Sequence, residues 1–207
     1  MLMVMQVKGV RIFTPGEYEK LEDQVSKPSL KKLIRVMLLT GMRYEEVLSL
    51  KKTPENFMKN DSCIWVRSGK KKVVSHERYV PLTPQGIEAV EAFLVDEREV
   101  YPQANVIMLN LVSWSEKAGL EPLPEDQMRD MTGANVGRER KNVYGISVKS
   151  FRKTWENWLI DSYPERVLQI LKAQGHNAAT ALEHYAGANF SSSDLEAIRA
   201  YTSGWKA

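Results

Sequence analysis

At 207 residues, with 43% hydrophobic and 27% charged residues, the chain can bury one sizeable core and has the composition of a globular protein rather than a disordered one. A lone cysteine, Cys63, excludes a disulfide framework and a thiolate-cluster zinc site. Three histidines without ligand-like spacing predict no metal, and no apolar run is long enough to span a membrane.

The net charge of +3 suits a nucleic-acid binder or an ordinary protein, so composition leaves function open. The apolar opening Met1 to Val4 is soon interrupted by Lys8 and Arg11, and no cleavable signal follows. A cytoplasmic location is therefore the default.

Thr14, Pro15 and Glu17 supply a cap, an N1 proline and an N3 acid, which predicts a helix running through Leu21 toward Val25. Lys27-Pro28-Ser29 breaks the chain, and Ser29 can cap a second helix with Leu30, Leu33, Ile34, Met37 and Leu38 on a broad apolar face. Gly41 closes it, and residues from Tyr44 to Leu50 read as a short third helix. Cys63 to Val66 and Arg78 to Leu82 are β-rich, so the polar stretch between them reads as a long hairpin arm with Lys70, Lys71 and Lys72 at its tip.

Thr83-Pro84 caps a helix with Ile87, Val90, Phe93 and Leu94 at helical spacing, and Val106 to Ala118 reads as another that stops at Gly119. The polar run that follows, rich in glycine, proline and charge, predicts a loop or insertion over residues 122–145. Helix returns at Ser147, with Phe151, Trp155, Trp158 and Leu159 on one side, and ends before Tyr163-Pro164. Those tryptophans read as core rather than a base-stacking platform.

Glu165 to Ala173 is a further helix, with Val167, Leu168, Ile170 and Leu171 as its apolar positions. Ala178 to Tyr185 is short and alanine-rich, and Ser193 with Glu196 suggests a capping box for a terminal helix presenting Leu195, Ile198 and Tyr201. The class is mainly α with a small antiparallel sheet, in one domain over residues 1–207.

Four chemistry-bearing segments each have a bland reading when taken alone. Arg43, in Thr40-Gly41-Met42-Arg43-Tyr44-Glu45-Glu46, could be a surface arginine. Lys149 and Arg152 at i and i+3 could be a solvated basic face. The glycine of Gln174-Gly175-His176 could be an ordinary C-cap, and Tyr185 could be core or surface.

Their order and spacing together resemble the tyrosine recombinase or phage integrase family. That pattern has an arginine in T-G-[ML]-R-x-x-E, a hairpin lysine, H-x-x-R on a helix, G-H, and a tyrosine nine residues past that histidine. The resemblance runs from about residue 12 to residue 200 and implies that family's catalytic-domain fold. It assigns catalytic roles to Arg43, Arg152, His176 and Tyr185. The hairpin lysine is Lys70 by approach from Trp65-Val66 and Lys72 counting back from Pro81, and Lys70 is preferred.

One position departs from the family: Lys149 stands where most members have histidine, a substitution that looks like the one in some archaeal virus or plasmid integrases. Lys149 is then either an electrostatic clamp or a base kept neutral by burial and neighbouring arginines.

The implied activity is site-specific recombination of double-stranded DNA through a 3′-phosphotyrosyl link, with no cofactor and no metal. Paired arginines suit the charge that develops on the phosphate oxygens. His176 can donate to the same oxygens, and Lys70 would protonate the departing 5′ oxygen. Lys71, Lys72, Arg138, Arg140 and Lys141 are candidates for contacts to the DNA backbone.

Relatives carry an additional amino-terminal helical domain that this sequence is expected to lack. Residues 190–207 should form a helix and tail that docks on a neighbouring protomer in a dimer to tetramer, or packs within its own chain. A topoisomerase-like nicking-closing enzyme and a non-catalytic DNA-binding relative are the alternatives.

Overall fold

The computed structural model of the chain describes residues 4–67, 77–125, 129–130, 141–176 and 190–206. A short antiparallel ladder opens it, β1 (Gln6–Val7) with β2 (Val10–Arg11). Helix α1 (Pro15–Asp23) carries the full predicted capping box. The Thr14 hydroxyl accepts from the Glu17 amide, and the Glu17 carboxylate accepts from the Thr14 amide.

Helix α2 (Pro28–Thr40) buries all five predicted apolar positions. It begins two residues earlier than the sequence suggests. Proline's fixed φ suits N1, so Pro28 follows Lys27 as the cap residue and Ser29 lies inside the first turn without capping. Helix α3 is Tyr44–Lys52.

The predicted hairpin is present as β4 (Cys63–Val66) and β5 (Arg78–Pro81), in register from Cys63 opposite Pro81 to Val66 opposite Arg78. A third strand, β3 (Phe57–Met58), adds to β4 and makes a sheet of order β3-β4-β5. Helix α4 (Pro84–Leu94), capped by Thr83, packs along α2, and α5 (Ala104–Lys117) follows. Within the expected loop over 122–145 a two-residue ladder forms, β6 (Arg129–Asp130) with β7 (Lys141–Asn142).

Helix α6 (Val148–Ser162) is the axle of the molecule, touching α2, α5, β2 and the two helices after it. Phe151, Trp155, Trp158 and Leu159 are fully buried. The Trp158 indole donates to the Phe13 carbonyl at 3.0 Å, and the Phe13 amide donates to Thr154 Oγ1 at 2.9 Å. The tryptophans are core, as the spacing implies, each worth about 1.5–3 kcal/mol or more of burial.

A 3₁₀ turn at Pro164–Arg166 leads into α7 (Val167–Gln174). Leu168, one of the apolar positions of this helix, is 79% exposed, because the short helix is covered only where it meets its neighbours, chiefly β5 and α6.

The last helix is α8 (Ser192–Thr202). Its capping box uses Ser191 and Asp194 rather than Ser193 and Glu196, since the Ser191 hydroxyl accepts from the Asp194 amide at 3.1 Å. It packs on its own chain. Ile198 is buried, and the Tyr201 ring lies 5.1 Å from Trp158 and edge-on to Tyr18 at 6.4 Å.

Candidate active site

Two helices end in left-handed glycines beside α6, and this brings the sequence motifs together. Gly41 caps α2 at φ +60° and Gly175 caps α7 at φ +68°. Both positions also lack room. A Cβ on Gly41 would lie 2.8 Å from Trp155 Cδ1, and one on Gly175 would lie 3.1 Å from the Arg78 side chain. The C-cap reading of Gly175 is therefore correct but incomplete, because the same glycine lets β5 press its arginine against the turn.

Arg152, on α6, joins the two turns. One guanidinium nitrogen donates to the Gly41 carbonyl at 3.0 Å and the other donates to the Gln174 carbonyl. Gln174, itself buried, donates from Nε2 to the Thr40 carbonyl at 3.4 Å. The Thr40 hydroxyl accepts from the Met42 amide at 3.1 Å, which shapes the turn that delivers Arg43.

Arg43 is the residue before α3, and its guanidinium, half exposed, donates to Glu46 Oε1 at 2.8 Å. Arg78 grips both oxygens of the same carboxylate at 3.0 and 2.7 Å, while its Nε donates to the Ala173 carbonyl at 3.0 Å.

Charge in this cluster is unbalanced. Burial raises the Glu46 pKa, but the hydrogen-bonded Arg78 and then Arg43 more than offset that, bringing it from 4.5 to about 2. Arg152 moves the other way, down from the usual guanidinium range to about 10. Burial is the largest cause and the Arg43 and Arg78 charges add to it, against a weaker pull from Glu46 and Glu156. Among the described residues three guanidinium groups here face two carboxylates, which leaves these groups short of negative charge.

His176 follows Gly175. Its Nε2 lies 3.0 Å from Glu156 Oε2 and 3.4 Å from the Arg152 guanidinium. Lys149 sits in the first turn of α6 and is exposed.

The structure thus gathers Arg43, Arg152 and His176 at one place. Lys149, three residues before Arg152 on the same helix, lies on the side of α6 that carries Arg152. Lys70, Lys71, Lys72, Arg138, Arg140 and Tyr185 lie outside the described residues. Lys141 is in β7, and its side chain is outside them. Strand β5 begins at Arg78, whose guanidinium is part of the cluster.

Three members of the cluster escaped sequence reasoning. Glu46 was visible only as the last letter of its motif. Glu156 stands one turn after Arg152, a spacing that could have found it. Arg78 had no local signal beyond its place at the start of a strand. Among the described residues no group of histidine, cysteine and acidic side chains could hold a metal, and no helix is long and apolar enough to cross a membrane.

The sequence profile described as the phage integrase family matches residues 11–192. No curated protein matches by sequence comparison. Among solved structures, XerA recombinase is similar with a TM-score of 0.58 and 18% identity, covering 94% of this chain and 66% of that one. The Tn1549 transposon integrase in complex with circular intermediate DNA gives 0.60 and 17%, covering 95% and 68%. XerH site-specific recombinase bound to its palindromic difH substrate gives 0.53 and 18%, covering 91% and 52%. This chain spans about two thirds of the first two and about half of the third. The fold is that of recombinase catalytic domains, as the motifs implied.

Proposed function

Because the chain belongs to the phage integrase family, we propose that it is the catalytic domain of a site-specific DNA recombinase that cleaves and rejoins double-stranded DNA through a 3′-phosphotyrosyl link to Tyr185. The observation that carries this reading is the surplus of positive charge at Arg152. A buried guanidinium whose pKa is pushed down to about 10 by burial and by two neighbouring arginines gains stability from an added anion. A DNA phosphate is the anion the family handles.

The chemistry follows from that surplus. Attack of the Tyr185 oxygen on phosphorus loads negative charge onto the non-bridging oxygens, and fixed cations stabilise that state more than the ground state. Arg152 is held rigid by two carbonyls, and Arg43 is exposed enough to turn from Glu46 toward DNA. As the bond from phosphorus to the 5′ oxygen breaks, Lys70 gives that oxygen a proton. The new ester conserves the energy of the broken one, so the reverse attack rejoins the strand.

Lys149 acts here as an electrostatic clamp, since its exposure lacks the burial that a neutral base would need. Lys71, Lys72, Arg138, Arg140 and Lys141 would hold the DNA backbone, with salt-sensitive affinity. The chain would work as a dimer to tetramer on DNA, in the cytoplasm of its cell or host.

The test uses a pool of nicked duplexes of randomised sequence, in which loss of a short 5′ fragment traps any covalent adduct. The parent should form an adduct that survives denaturation, and Tyr185→Phe should form none. Adduct formation by Tyr185→Phe, or none by the parent, would overturn the reading. A strand-exchange assay on the enriched sequences separates recombination from nicking and closing.

A further inference from the structure

We infer that Glu156 is a positioning residue for this reaction, holding the His176 ring with its proton on Nε2; the inference deepens the recombinase reading and rests on it. Glu156 is 6% exposed, on the face of α6 that carries Arg152 one turn earlier. A buried carboxylate is costly unless it is hydrogen-bonded. Among the described residues the hydrogen-bond partner of Glu156 is His176, with Oε2 and Nε2 3.0 Å apart.

That contact decides the proton. Nε2 also lies 3.4 Å from the Arg152 guanidinium, which can only donate, whereas an ionised carboxylate can only accept. One ring nitrogen cannot serve both. Of the two contacts, the one to the carboxylate is the shorter. Nε2 therefore carries hydrogen and donates to Glu156, which fixes the ring plane beside the Arg152 guanidinium. In this chain the matter is sharpened at Lys149: with lysine in place of the family's first histidine, His176 is the imidazole that the motifs supply.

Ring ¹⁵N–¹H correlation spectra of the full chain read the tautomer, and adduct formation on the nicked pool reads its consequence. The parent should show the Nε2–H form. Glu156→Ala should lose that preference and slow adduct formation by about 10- to 100-fold, with DNA affinity within about 2-fold. Glu156→Gln, which keeps an acceptor oxygen, should restore the ring signals and most of the rate.

Parental ring signals or a parental rate in Glu156→Ala overturn the inference, as does a Glu156→Gln variant that is equally slow with parental ring signals. A parent that forms no adduct removes the reaction that the pair would serve. The ring spectra then decide the Glu156–His176 pairing independently.

Discussion

Among the described residues three arginines are buried, and the surroundings of two of them, Arg11 and Arg152, differ in one respect that separates structure from function. Arg11 is fully buried at the end of β2. Its guanidinium donates to the Glu121 carbonyl at 2.7 Å and to Glu17 at 2.5 Å, the same carboxylate that caps α1. One cation meets one anion, and the charge is balanced without a ligand.

Arg152 is buried almost as deeply, but two more guanidinium groups face it and its carbonyl partners carry no net charge. The first arrangement ties three segments together. The second holds charge in reserve for a partner that the fold does not contain.

That contrast can be broken from either side. Arg11→Met should strand Glu17 and remove the donor to the Glu121 and Tyr144 carbonyls, costing about 3–5 kcal/mol in denaturant unfolding, while the folded fraction cleaves DNA at the parental rate. A specific loss of cleavage would place Arg11 in the site. Arg152→Ala should do the opposite. Adduct formation should fall by about 10²–10³-fold, equivalent to about 3–4 kcal/mol of transition-state stabilisation. An active Arg152→Ala would mean that the charge surplus serves something other than catalysis.

Glu46 belongs to both worlds, because it neutralises Arg78 structurally and anchors Arg43 functionally. Its pKa is depressed from 4.5 to about 2, so its contribution is complete above about pH 4.5 and fades as pH falls toward 2. In urea titrations Glu46→Gln should be less stable than the parent by about 3 kcal/mol at neutral pH, and the gap should close across that acid window. A gap that stays constant with pH would mean packing, not charge, is what Glu46 supplies.

The smallest effect is expected at Asp161, in the last turn of α6. Burial lifts its pKa from 3.8 to about 6, and one carboxylate oxygen is buried without a hydrogen-bond partner. A raised acid weakens the fold at neutral pH, and the weakening vanishes below about pH 4. Asp161→Asn should therefore gain about 1–2 kcal/mol at pH 7, a few degrees of melting temperature, with cleavage unchanged. Here an unbalanced charge has no ligand to await, which is the control the Arg152 site needs.

What could be read in advance follows the same division. Local signals were plain: Thr14 with Glu17, Gly41, Thr83-Pro84 and the Trp155-Trp158 stripe each set one element, and each behaves as its residues require. The errors at Ser29 and Ser193 are shifts of two residues, where a proline suited to N1 or a neighbouring serine set the start of the helix. Leu168 misled because helical spacing says which side is apolar but not how far a partner extends.

In the site, motif letters brought Arg43, Arg152 and His176 into view. The partners that give them meaning came from far away in sequence. Arg78 and Glu46 meet only because β5 lies against α7 and brings Arg78 to the first turn of α3, and no window of residues records that contact. Glu156 was hidden by its helix: an acid in a stripe flanked by tryptophans reads as the solvent face until α6 proves to be covered almost all round.

The neutralising role of Arg152 is tested most directly by changing the DNA rather than the protein. Once adducts from the nicked pool reveal a cleaved sequence, the reacting phosphate is replaced by a neutral methylphosphonate, and adduct formation by the parent and Arg152→Ala is compared on both substrates. If the buried guanidinium exists to meet phosphate charge, the deficit of Arg152→Ala should shrink sharply on the neutral linkage. An equal deficit on both substrates would contradict it.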